Sequence, residues 1–135
     1  MFRALLFVCV FSLLSGCAVI KAYNTAKYDP NEHDKINNIR TNAQLGTADC
    51  ENVFKIKHLS YVLYNSSIEL KNYSSSLPEN EEASKLGELL VEVTSNLKKS
   101  YDDDKPKSKA FCELKLENVE DSSKRIQTVV ARKPR

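Results

Sequence analysis

From Cys112 onward, Leu116, Val119, Ser123, Ile126 and Val130 recur at alternating steps of four and three residues. That spacing lays one seam along an α-helix and does not suit a strand, whose faces alternate every second residue. The same rhythm returns in Ile56, Leu59, Leu63, Ser66, Leu70 and Tyr73, and again in Leu86, Leu90, Val93 and Leu97. A chain written this way must bury three long seams against one another, so the expected fold is all-α.

Capping chemistry sets the expected boundaries. Asp29-Pro30-Asn31-Glu32 predicts a first, shorter helix with Asp29 as N-cap, Pro30 at its first position and Glu32 closing a capping box. Ile36, Ile39 and Ala43 form its stripe and Gly46 its stop. A second helix is expected to begin near Asp49 or Cys50, with Phe54, Tyr61 and Ile68 adding a second apolar stripe. The β-prone run Tyr61-Val62-Leu63-Tyr64 offers a strand instead, but one with no evident partner. Asn72 to Asn80 reads as a loop, and Ser76-Leu77-Pro78-Glu79 as the capping box of a third helix ending near Tyr101. Gly87 within that helix points to a close helix contact or a slight kink. Asp102-Asp103-Asp104-Lys105-Pro106 reads as a solvated turn, since it lacks the Gly and distal Glu of a calcium-binding EF-hand. Ser108 caps a fourth helix carrying the i,i+4 pairs Glu120–Lys124 and Asp121–Arg125. Ala131 to Arg135 should fray.

The N-terminus has a different character. Arg3 precedes an apolar run from Ala4 to Leu14, inside the roughly 7–15 residues of a secretory signal. The run is shorter than the roughly 20 residues of a membrane-spanning helix. Leu14-Ser15-Gly16-Cys17 resembles the lipobox of bacterial lipoproteins at all four positions; an ordinary secretory peptide or an uncleaved anchor is the plainer alternative. The resemblance implies cleavage after residue 16, a diacylglycerol on Cys17 and membrane attachment through that lipid. With Ala18-Val19-Ile20 next, rather than an Asp, it implies the inner leaflet of the outer membrane, facing the periplasm. Residues 1–16 are then a signal peptide, 17–28 a lipidated tether, 29–131 a periplasmic helical domain and 132–135 a basic tail.

On that reading Cys9 leaves with the signal and Cys17 is acylated, which leaves Cys50 and Cys112. In an oxidising compartment these are expected to pair; two free buried thiols or a metal pair are the alternatives. Short connections make successive helices antiparallel, so the second and fourth helices start at the same end, where both cysteines lie. The expected architecture is a disulfide-stapled antiparallel three-helix bundle with a shorter additional N-terminal helix.

Charge and motifs narrow the function by exclusion. Twenty basic and eighteen acidic residues leave no global field for nucleic acid. After residue 16 only Gly46 and Gly87 remain, too few for a phosphate loop or dinucleotide turn. No Gly-x-Ser-x-Gly or His-Glu-x-x-His motif occurs. His33 and His58 stand in no ligand spacing with the cysteines, so no metal, cofactor, catalytic residue or small-molecule substrate is expected. Carboxylate pairs such as Glu81 with Glu82, or Glu88 with Glu92, lie among Lys and Ser as on a solvated face. Lys124, Arg125, Arg132, Lys133 and Arg135 form a local basic patch, read either as a contact for an acidic partner or anionic polymer or as a solubilising tail. Tyr61, Tyr64 and Tyr73 are candidate interface anchors or core residues.

The expected function is a non-catalytic adaptor that binds another envelope protein. In organisation only, the chain also resembles small accessory lipoproteins of phages and conjugative plasmids. Among these are outer-membrane spanin subunits acting at lysis and lipoproteins that exclude a second infection or transfer. A small envelope hydrolase is the third and least supported reading.

Overall fold

The computed structural model describes residues 26–135; the expected signal peptide, Cys17 and most of the expected tether lie outside the described residues. Four α-helices follow in order: α1 (Pro30–Gly46), α2 (Val53–Ser76), α3 (Glu81–Ser100) and α4 (Lys109–Ala131), with a 3-10 turn at Thr47–Asp49 after α1. No strand occurs among the described residues, so Tyr61 to Tyr64 is helical. Each helix packs against its neighbour in sequence, and α1 closes the ring by packing on α4. α1 is therefore a full member of the bundle rather than an addition to three others.

Two expected caps form. Asp29 accepts from the Glu32 amide at 2.9 Å, and Ser108 from the Phe111 amide at 3.2 Å. Asn52 caps α2, accepting from the Lys55 amide at 3.1 Å, so that helix begins a few residues later than expected. It also runs on to Ser76, through residues expected to be loop. The Ser76 capping box does not form: its hydroxyl donates back to the Tyr73 carbonyl, and α3 starts only at Glu81. Gly46 is the last residue of α1, but it is required for space rather than for a left-handed stop. Its backbone stays right-handed, and a Cβ there would collide with Leu59 and lie 3.3 Å from Leu116.

The core joins all four helices. On α4 the whole expected seam is buried, Cys112 to Val130. On α1, Ile36, Ile39 and Ala43 are buried as expected. On α2 the buried face is Ile56, Ser60, Leu63, Ser67, Leu70 and Ser74, one residue away from the expected seam at three positions. Phe54, at 75% exposure, and Tyr61 face outward, so the second apolar stripe is not core. The serines are tolerated because their hydroxyls return to their own helix, Ser67 to the Leu63 carbonyl and Ser60 to that of Lys57. Thr94 and Ser123 do the same toward Leu90 and Val119. Small side chains let α2 and α3 approach closely. A Cβ on Gly87 would stand 3.2 Å from the Lys71 backbone, confirming the close contact.

Cys50 and Cys112, 62 positions apart in sequence, form a disulfide with Cα atoms 5.6 Å apart. Because α2 begins after Cys50, the bridge fastens the end of the α1 segment to the start of α4. The Asp102–Asp104 turn lies against lysines. Lys57 bonds Asp104 at 2.7 Å, Lys98 lies 3.5 Å from Asp102, and Lys107 lies 3.1 Å from Asp103. The hydrogen bond from Lys107 holds the Asp103 carboxyl below the usual range, and that to Asp104 raises Lys57. Among the described residues no group of three or more His, Cys, Asp or Glu gathers as a metal site.

Two measurements test this packing. Replacing both bridge cysteines by serine should cost about 4 kcal/mol in urea unfolding, the chain-entropy value for a loop of this length. Tyr101 is 1% exposed and its hydroxyl has no partner. Tyr101→Phe should therefore keep or raise stability, by up to about 1 kcal/mol at neutral pH. Burial pushes this phenol up, so the unfolded chain ionises first as pH rises. The wild type should then lose stability relative to the variant above about pH 10, read from unfolding curves at pH 7 and 10.5.

Candidate functional site

The five basic residues expected to act together are divided by the fold. Lys133, at 7% side-chain exposure, is buried against Glu32, which is fully buried, with Nζ 2.6 Å from Oε2. The other Glu32 oxygen accepts from Ser74 and from Asn80, each at 2.7 Å. Lys133 also donates to the Asn80 side-chain oxygen, and the Asn80 amide donates to the Ser74 carbonyl at 3.0 Å. Glu32 thus leaves the capping box it was expected to close, and Asn80 holds the cluster rather than capping α3. The C-terminal residues do not fray. The Tyr28 amide donates to the Pro134 carbonyl at 2.9 Å, and the Arg135 guanidinium lies 5.5 Å from the Tyr28 ring centroid.

Every polar side-chain atom of this cluster has a partner, so its role is to close the end of the bundle that holds the start of α1. A buried pair broken on one side leaves an uncompensated charge. Lys133→Met should therefore cost about 3–5 kcal/mol in urea unfolding, and adding Glu32→Gln should recover part of that loss.

The remaining basic residues stay outside the cluster. Arg132 borders a small cavity of about 180 Å³ beside Lys133, Lys124 is exposed, and Arg125 borders a separate cleft between α3 and α4. The expected pairs on α4 do not form: Glu120 accepts from Gln44 and lies 3.6 Å from Arg40, both on α1. Of the candidate tyrosines, Tyr73 donates to Asp29 at 3.1 Å. Tyr61 donates to Asp102 at 3.1 Å, under the Lys98 ammonium at 4.4 Å from its ring. Both are engaged within the domain.

An open apolar surface lies at the other end of α1. Leu45 and Phe54, exposed at 68% and 75%, flank a groove of about 590 Å³ floored by Gly46, Leu59 and Val62. His58 and Lys55 stand on its rim, with Lys55 bonded to Asp49 at 2.7 Å. The groove exists because α1 ends at a residue without a side chain, against which Leu59 of α2 packs. Residue identity carries a signal for it: Phe54, expected in a second apolar stripe, lies off the main α2 seam and is exposed. No helix among the described residues is long and apolar enough to cross a membrane. Compared with protein-family models, with curated proteins and with solved structures, the chain finds no match in any of the three.

Proposed function

We propose that this chain is a bacterial envelope lipoprotein, anchored through Cys17 to the inner leaflet of the outer membrane. Its helical domain is a non-catalytic adaptor that grips the apolar face of an amphipathic helix of a second envelope protein in the Leu45–Phe54 groove. On this reading the helices run antiparallel, supported by the contact of Ser75 with Ser84 across α2 and α3 and by that of Lys57, at the start of α2, with Asp104, just after α3. The observation that carries the reading is the groove itself, with two large apolar side chains more than two-thirds exposed at one place.

Its position selects the occupant. The chain enters at Ala26, beside the start of α1, whereas the groove lies past the end of that 17-residue helix, about 25 Å away. On this reading the anchored end of the domain is the start of α1, and the groove lies a helix length further along the chain. An apolar slot between two helices suits an amphipathic helix laid into it. The same orientation favours, as a second reading, a phage or plasmid accessory role, spanin-like or excluding, in which the distal end reaches a partner from the inner membrane.

Photo-crosslinking from position 54 of the full, lipidated chain in cells tests the groove. The expected product joins this position to an amphipathic helix of one envelope protein, and Leu45→Asp removes it while leaving thermal unfolding unchanged. A product joining two copies of this chain, or none, would overturn the adaptor reading.

A further inference from the structure

Between α3 and α4 lies a polar cleft of about 280 Å³, bordered by Asn96, Lys115, Asn118, Asp121, Ser122 and Arg125. Among the described residues the side chains of Asn96, Lys115, Asn118, Asp121 and Arg125 make no hydrogen bond or ion pair, while Ser122 donates to the Asn118 carbonyl at 2.7 Å. This is unlike the other polar seams of the bundle. Across α1 and α4, Arg40 donates to Gln127 at 3.0 Å and approaches Glu120. Around the α3–α4 turn, lysines pair with all three aspartates.

Asp121 and Arg125 stand in the i,i+4 order that favours a pair, yet they do not meet. Both border the cleft instead. Lys115 is half-buried and its ammonium lies 5.4 Å from the Phe111 ring centroid, which limits how far it can swing away. The cleft thus gathers two side-chain amides, one carboxylate, one ammonium and one guanidinium.

We propose that this cleft binds a carboxylate-bearing sugar unit of a glycan. Asn96 and Asn118 each offer donors and an acceptor, the set that matches acetamido and hydroxyl groups. Asp121 accepts from a sugar hydroxyl. Arg125 pairs in fork geometry with the ligand carboxylate, and Lys115 adds a second positive charge beside it. One acid against two cations leaves the cleft with a net positive charge, which selects an acidic sugar over a neutral one. Its volume lies just below the ~300–1,000 Å³ of small-molecule pockets, so it takes one sugar unit of a chain that continues into solvent. The cleft involves neither Leu45 nor Phe54, so it does not depend on the groove reading.

Isothermal titration of the full chain in detergent micelles tests this with three probes. These are the disaccharide of N-acetylglucosamine and N-acetylmuramic acid, a uronic-acid oligosaccharide, and neutral diacetylchitobiose. Binding of the muramic probe alone identifies peptide-free cell-wall glycan, whose lactyl carboxylate is not tied up as an amide, and binding of both acidic probes identifies acidic glycans generally; either supports the site. Lys115→Gln with Arg125→Gln should weaken the acidic probe by about tenfold or more, the scale of a lost charge-assisted hydrogen bond. Because Arg125 makes no hydrogen bond or ion pair among the described residues and Lys115 only its contact with the Phe111 ring, the variant should unfold within a few degrees of the wild-type temperature. Equal affinity for the neutral probe, no binding of any probe, or binding that the double variant retains would overturn the proposal.

Discussion

The ion pair between Glu32 and Lys133 joins residues 101 positions apart, and the bundle's tether end depends on it. Taking two charges out of water costs several kcal/mol each, which attraction alone repays poorly. Here Ser74 and Asn80 occupy one carboxylate oxygen and the Asn80 carbonyl takes the ammonium, so the cost is offset by hydrogen bonds as well as charge. The arrangement draws the start of α1, the end of α2, the α2–α3 loop and the C-terminal tail to one point. That is why α2 continues to Ser76 and why α3 starts late.

At the opposite end the same two helices are fastened covalently. The Cys50–Cys112 bridge ties the segment after α1 to the start of α4, so α1 and α4 are joined at both ends and along their length through Arg40, Gln44, Glu120 and Gln127. α2 and α3 complete the ring by close packing across Gly87. The groove is a by-product of this frame. With α1 held in place and ending at Gly46, Leu59 has a backbone to pack on, and Leu45 and Phe54 are left on either side.

Much of the frame could be read from residues alone. The α4 seam, the caps at Asp29 and Ser108, the α1 stripe, the role of Gly87 and the cysteine pairing all follow from local rules. The α2 face was missed because hydrophobicity was counted where size mattered. Ser60, Ser67 and Ser74 occupy alternate core positions; the first two bond their own helix, and Ser74 bonds Glu32. Lys133 was missed for another reason: a lysine two residues past a helix has no local signal that its partner lies at the start of the chain. The basic tail therefore read as a solvated patch. The α3–α4 cleft was half legible, since Arg125 was singled out, but not that its i,i+4 partner would leave it alone.

Double fastening of α1 to α4 also decides how the domain would carry tension. A pull applied between the tether at Ala26 and an occupant of the groove runs along α1, the helix nearest both. With one end clamped by a salt bridge and the other by a covalent bond, α1 cannot peel from α4 one turn at a time. The two helices would have to slide past each other as a unit, breaking their contacts together. A lengthwise load on such a domain falls on both fastenings at once, and the non-covalent one, Glu32 with Lys133, is the first to give.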